Sequence, residues 1–300
     1  MDKPVIGIPV GEPAGIGPEV VRKAIASHRL PARCVYRVIG SDKGFSPGKP
    51  SPSSARAAQE WLEEAVLLWK EGAIQAIVTG PVYKKGLRAA GFPFPGQTEF
   101  FAERAGCPAQ SVVMSFWHPK LSVSLLSTHC SLREAIDSIL PEKIVLCAEL
   151  LADFLARLGH SPPRIAIAGL NPHAGEGGLF GSEEREIFAP AIHRLRQKGR
   201  NVFGPLPPDS VFRQAIRREF AGVVAAYHDQ GLIPFKLAAF STGVNVTLGL
   251  PLIRTSPDHG TAFDIAGKDA ADPRSMIAAI RLAARLLATP KRKKAAKESP

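Results

Sequence analysis

Three histidines stand where apolar runs give way to polar, turn-forming residues. They are His129 in STHCSL, His173 in GLNPHAGEGG and His228 in AAYHDQG. Three neutral imidazoles around a divalent cation leave one coordination position open, and such a cation polarises a substrate oxygen as a Lewis acid. Asp229 and Asn171 sit beside two of these histidines, where each is either a hydrogen-bond partner that orients an imidazole or an ordinary turn residue. A second group is the loop GEPAGIGPEV from Gly11 to Val20, with Gly11, Gly15 and Gly17 and a proline near the start of the following helix. Such a turn either brings main-chain amides close to an anion or simply joins a strand to a helix. Its glycine spacing is not GxGxxG, which excludes a standard Rossmann fingerprint.

These residues need a scaffold that aims strand ends at one place. Short β-branched runs at Val5 to Val10, Cys34 to Ile39, Ala73 to Val78, Leu121 to Ser127, Arg164 to Leu170, Val223 to Tyr227 and Val244 to Leu248 read as strands. Helical patterns follow near Pro18 to His28, at Pro141 to Leu158, at Ser182 to Lys198 and at Arg274 to Ala288. Leu62, Ala65, Val66 and Trp69 mark one face of a further helix, and Ser41 to Ser54 reads as a loop. The alternation defines an α/β fold, in which ligands bind beyond the carboxyl ends of strands.

With 45% apolar and 22% charged residues in 300, the chain is an ordinary globular one, and no apolar run approaches a membrane span. A cytoplasmic protein without a membrane partner is expected. Cys34, Cys107, Cys130 and Cys147 form no CxxC pair, so neither a disulfide framework nor a thiolate zinc site is indicated. The formal charge is +11, and the last ten residues carry five basic groups and one acid. That tail, 291–300, has no aromatic interleaving or nucleic-acid module around it, so no nucleic-acid partner is expected. A basic body suits a small anionic substrate and an anionic cofactor.

The string DHGTAFDIAGKDAADP from Asp258 to Pro273 resembles the adenine-side cofactor loop of the isocitrate and isopropylmalate dehydrogenases, and Gly11 to Val20 resembles their N-terminal loop. More specifically, GEPAGIGPE, TGPVYKKG, FPGQTEFF, STHCSLREA, LNPHAGEGG, GPLPPDSVF, YHDQGLIPFK, GVNVTLGLPLIRTS and DHGTA together resemble the 4-hydroxythreonine-4-phosphate dehydrogenase family from Gly11 to about Ile280. The resemblance implies a two-lobed α/β/α fold of the isocitrate/isopropylmalate dehydrogenase kind. Residues 1–94 plus 241–290 would form the cofactor lobe and 95–240 the metal, substrate and dimerisation lobe. It implies NAD or NADP bound at Gly11, Gly15, Gly17, His259, Gly260 and Thr261, and one divalent metal per subunit on His129, His173 and His228. Three imidazoles favour zinc, with cobalt, magnesium and manganese as alternatives. Substrate contacts would be Gln97, Thr98, Lys236, Asn245 and Arg254, with Asp229 and Lys84 as catalytic candidates, in a homodimer whose active site lies at the interface. The reaction implied is oxidation and decarboxylation of 4-phosphooxy-L-threonine. The chain departs from the family at Gln97, where a histidine is usual, and at Tyr83, where histidine or asparagine is common. The first departure keeps a four-carbon sugar-acid 4-phosphate or an aromatic cis-dihydrodiol carboxylate open as substrate. The segment from Ser41 to Ser54 is shorter than in most members.

Overall fold

The computed structural model describes residues 2–289; the basic tail at 291–300 lies outside them. The chain begins with β1 (Val5–Pro9), α1 (Gly17–Ala26), β2 (Val35–Ile39), α2 (Pro52–Lys70), β3 (Ala76–Val78), α3 (Lys84–Ala89) and α4 (Gln97–Arg104). The middle runs through β4 (Val113–His118), β5 (Leu121–Leu125), α5 (Leu132–Asp137), α6 (Pro141–Arg157), β6 (Ile165–Ala168), α7 (Ala189–Gln197), β7 (Val202–Leu206), α8 (Pro208–Ile216), β8 (Gly222–Ala225) and α9 (His228–Ala239). Strands β9 (Val244–Leu248) and β10 (Ile253–Pro257) and helix α10 (Arg274–Ala288) complete it.

All ten strands belong to one sheet in the order β2-β1-β3-β10-β9-β4-β5-β8-β6-β7. The two flanks are parallel, as crossover helices require. Between them, β10-β9, β9-β4 and β4-β5 pair antiparallel. The last two strands of the chain therefore return to the centre of the sheet and join one parallel flank to the other. Parallel strands covered on both faces are apolar throughout: β3 is AIV and β6 is IAIA, every residue buried. Helix α10 lies across the β9-β10-β3 region, and its Met276, Ala279, Ile280 and Ala283 are fully buried.

Several elements depart from the sequence reading for identifiable reasons. The loop expected to reach Ser54 ends earlier, because Ser51 caps α2: its hydroxyl accepts from the Ser54 N–H, the Ser54 side chain accepts from the Ser51 N–H, and Pro52 opens the helix. The helix expected over Ser182 to Lys198 is a π turn at Glu184–Phe188 followed by α7. After the strand expected at Val244 to Leu248, a turn containing Pro251 leads into one more, β10, which starts at Ile253. Strands β4 and β7 and helices α3, α4, α5, α8 and α9 are not anticipated as elements by the sequence; α9 carries Pro234 in its interior, a residue that normally reads as a helix breaker.

Candidate active site

The central antiparallel strands form the floor of a cleft. Phe116 of β4 lies opposite Asn245 of β9, which lies opposite Ser256 of β10; Met114, Thr247 and Arg254 form the next row. Cross-strand neighbours share a face, so these six side chains emerge together. All but Thr247 line a cavity of about 330 Å³ whose walls include Lys84, Gln97, Thr98, Glu99, His129, His228, Lys236, Asp258 and His259. Gln97, Thr98, Lys236, Asn245 and Arg254, named separately along the sequence, are thus brought into one cavity, together with Lys84.

Arg254 dominates its electrostatics. The residue is only 4% exposed. Its Nη2 donates to Thr79 Oγ1 at 2.8 Å and to Gln97 Oε1 at 3.0 Å, its Nη1 donates to Thr247 Oγ1 at 3.2 Å, and its Nε has no partner. All three partners are neutral. Burial pushes the guanidinium down to about 10, with Glu99 opposing. A buried cation held only by hydroxyl and amide oxygens is a receptor for an anion. Asn245 Oδ1 and His259 Nε2 are likewise buried without hydrogen-bond partners. On the facing helix, Lys236 Nζ lies 3.6 Å from Asp258 Oδ2, and burial raises the Asp258 carboxyl above its ordinary range although Lys236 opposes this.

His129 follows β5 and His228 opens α9; these strand ends are adjacent because β5 pairs with β8. Their ring centroids are 5.7 Å apart. Asp229 Oδ1 lies 2.7 Å from His228 Nδ1, which tethers that nitrogen and leaves Nε2 facing outward. His129 is exposed at its edge, yet the protein packed around it, Lys84 and His228 hold its pKa below the ordinary value, against Glu99. Lys84 Nζ approaches His129 Nε2 at 3.5 Å. On the far side of the pair, a second cavity of about 600 Å³ is lined by 128–132, Glu134, Ala135 and 227–229. Two adjacent imidazoles, one hydrogen-bonded to a carboxylate, fit a divalent metal as two of its ring-nitrogen donors.

His173 stands apart from them. It is exposed, its ring lies 6.4 Å from that of Phe180, and no group of three metal-ligating side chains occurs among the described residues of one chain. Its loop leaves β6 and runs left-handed through His173, Ala174, Gly175, Glu176 and Gly177, with φ between 42° and 82°. This conformation costs roughly 1–2 kcal/mol at each residue that is not glycine, so the surrounding structure must impose it.

The glycine-rich first loop packs under the segment that follows β10. Ile16 N–H donates to Thr261 O at 2.9 Å, and a Cβ on Gly15 would lie 2.8 Å from that same carbonyl. The Gly15 N–H bonds Glu12 O and the Ala14 N–H bonds Glu12 Oε1. Gly11, Gly15 and Gly17 are all buried, so in this structure they serve close packing and the loop amides at 14–16 are already satisfied. Farther along, Glu19 Oε1 accepts from Ala271 N–H at 2.8 Å, and Lys23 Nζ bonds Glu19 Oε1 at 2.9 Å and the Asp269 carbonyl at 2.6 Å. His259 and Gly260 line the cleft, with Thr261 held between them and the first loop. Sequence reasoning passed over Thr79 and Thr247, which hold Arg254, and over Asp258, although Asp258 opens the DHGTA string. It also passed over Glu184, considered below.

The α/β fold around one large central sheet is shared with a β-decarboxylating dehydrogenase from Thermococcus kodakarensis, which aligns over 95% of this chain and 82% of its own with a TM-score of 0.56, at 16% identity, a likeness of fold alone. The family assignment is narrower. The model of the family described as pyridoxal phosphate biosynthetic protein PdxA matches residues 19–283, and the chain belongs to that family. A 4-hydroxythreonine-4-phosphate dehydrogenase of Bradyrhizobium diazoefficiens is 45% identical over 91% of this chain and 81% of its own. A D-threonate 4-phosphate dehydrogenase of Cupriavidus necator is 42% identical over 94% and 97%. The crystal structure of 4-hydroxythreonine-4-phosphate dehydrogenase from Klebsiella pneumoniae has a TM-score of 0.79 at 37% identity, covering 94% of this chain and 99% of that one. Among the described residues no helix is long and apolar enough to cross a membrane.

Proposed function

We propose that this chain is a cytoplasmic, NAD(P)-dependent and divalent-metal-dependent dehydrogenase that oxidises and decarboxylates 4-phosphooxy-L-threonine to 3-amino-2-oxopropyl phosphate, a step of pyridoxal phosphate synthesis. The observation that carries this reading is the juxtaposition, in one cleft, of an anion-seeking buried guanidinium at Arg254 with the His129–His228 pair. Arg254 and Lys236 would hold the substrate's anionic ends, while Thr98 and the unpartnered Asn245 Oδ1 complete its hydrogen bonds. Asp229 keeps the His228 ring oriented, and Lys84, beside His129, is the nearest candidate to accept the hydroxyl proton. A bound metal, zinc in the first instance, would supply Lewis-acid polarisation at the substrate oxygen. His259 and Gly260, with Thr261 behind them, form the wall against which the nicotinamide cofactor would lie.

The reading includes a homodimer. His173 stands outside the pair in its own chain, and exposed apolar side chains lie on the loops and helices near these histidines: Leu132, Leu140, Leu179, Phe180 and Leu237. A second copy covering that surface would bring the partner's His173 to the His129–His228 pair as third donor.

One observation favours a second substrate. Gln97 accepts from Arg254 through Oε1, which leaves its amide N–H groups for the ligand, and unlike histidine it cannot become cationic. This suits D-threonate 4-phosphate, the substrate in the name of the Cupriavidus relative, as well as the amino acid. The test is NADH formation by zinc-loaded protein offered each phosphate, repeated after chelation and with His173→Ala. Turnover of 4-phosphooxy-L-threonine that is lost in both controls is expected. Turnover confined to D-threonate 4-phosphate would shift the assignment, and turnover surviving chelation would remove the metal from it.

A further inference from the structure

The loop carrying His173 is wrapped around one carboxylate that none of the chemistry above employs. Glu184, 6% exposed, begins the π turn that precedes α7. Its Oε1 accepts from the main-chain N–H groups of Leu170 at 2.8 Å and Asn171 at 2.7 Å, and its Oε2 accepts from Asn171 Nδ2 at 3.0 Å. Neighbouring Glu183 takes the same Asn171 amide at 2.8 Å. The carboxylate occupies the inside of the turn: a Cβ on Gly175 would lie 2.7 Å from Glu184 Oε2, and one on Gly169 would lie 3.2 Å from Oε1. Hydrogen bonds to a charged acceptor are about twice as strong as neutral ones. They fall on Leu170 and Asn171, separated from the left-handed run only by Pro172, where they fix its direction of departure from β6.

A second tether joins this loop to the other histidines. Gln230 donates through Nε2 to the carbonyl of Gly169 at 2.8 Å, and its Oε1 accepts from Ala226 N–H at 2.7 Å. The root of the His173 loop is therefore bolted to the segment that delivers His228. Whatever direction Glu184 gives the loop is given relative to the body of its own chain, from which His173 would reach the partner subunit's imidazole pair.

We propose that Glu184 is a positioning residue for metal binding: it holds the left-handed 173–177 loop so that His173 is presented in the orientation a metal ligand needs. The proposal rests on His173 being a metal ligand, as argued under the preceding heading, and its test separates the two. Cobalt(II) is titrated into the full-length apo-protein and followed by its visible absorption band, for the native sequence, His173→Ala, Glu184→Ala and Glu184→Gln. Amide hydrogen exchange over residues 169–178 is measured on the same proteins. In E184A, cobalt affinity should fall about 10–100-fold, the range for losing a partner that orients a ligand, with an altered band and faster exchange at Leu170 and Asn171. In E184Q one amide oxygen still accepts both main-chain N–H groups, so most of the affinity should return. If H173A loses affinity while E184A keeps the native affinity and band, Glu184 is merely structural and the proposal is overturned. If H173A itself binds cobalt as the native protein does, His173 is not a ligand, and the proposal falls with that assignment. Should E184A fail to fold, Glu184→Asp, which withdraws the same oxygens by one methylene, is read against the same two outcomes.

Discussion

Replacing Arg254 by methionine separates binding from stability in opposite directions. The residue is only 4% exposed, and that burial lowers the guanidinium pKa to about 10. At roughly 1.4 kcal/mol for each tenfold change in a proton equilibrium, keeping it charged opposes folding by about 3 kcal/mol. The sign follows from linkage. A folded pKa below the unfolded one penalises the native state throughout the range below pH 10, and the penalty fades only as pH rises through the folded value toward the ordinary arginine range. Methionine removes this cost but leaves Thr79, Thr247 and Gln97 without their donor, at about 1 kcal/mol each where they stay unpaired. The ligand-free variant should therefore melt within a few degrees of the native protein. An anion supplies the missing counter-charge, so inorganic phosphate should raise the native melting temperature. Recovering about 3 kcal/mol corresponds to about 5 °C for 300 residues at roughly 2.1 cal/mol/K per residue. R254M should show no phosphate shift and should lose about 100-fold or more in kcat/KM, as expected for removing two charge-assisted hydrogen bonds. Differential scanning calorimetry with and without phosphate, beside steady-state kinetics, provides the readings. A variant that melts more than 10 °C lower yet binds substrate normally would refute the reasoning, since Arg254 would then be a structural strut.

Two further expectations rest on groups the sequence reading left aside. Burial holds the Asp258 carboxyl above its ordinary range, so its charge opposes folding at neutral pH and the opposition is relieved as pH falls below the unfolded carboxylate value; Asp258→Asn should therefore gain stability at pH 7 and none near pH 3, measured by urea denaturation at both. Lys23 ties α1 to the carbonyls of Asp269 and Ala271, and Lys23→Met should raise the KM for the nicotinamide cofactor severalfold with kcat nearly unchanged, a split that a fall in kcat alone would contradict.

Much of the site was legible because its residues sit in short strings with chemistry of their own. Lys84, Gln97, Thr98, Lys236, Asn245 and Arg254 come from five separate segments, and the cross-strand register of β4, β9 and β10 explains why they meet. The strand ends preceding His129 and His228 were also readable, since β5 and β8 are apolar runs that stop abruptly. The direction of the His173 loop was not readable. It depends on five successive left-handed residues, three of which are not glycine, and on a carboxylate eleven positions farther on. The glycines of the first loop illustrate a different limit. Glycine signals close approach of the backbone to something, but the pattern does not say to what: Gly11 approaches the carbonyl of Pro81, Gly15 that of Thr261 and Gly17 that of Val10. Helix α9 was hidden by Pro234 and by its dense run of motif residues, each of which drew attention to chemistry instead of periodicity.

The ladder that runs beneath the cleft has a mechanical meaning. Strands β10, β9 and β4 are the floor against which a ligand rests and, among the described residues, are also the only stretch of sheet linking the two parallel flanks. Opening the cleft by swinging one flank away would have to wring that ladder, because every strand in it is hydrogen-bonded on both sides. The walls can therefore tilt only as far as three strands will twist. The floor behaves as a torsion bar, and a ligand that bridges Arg254 on the floor and Lys236 on the wall stiffens it.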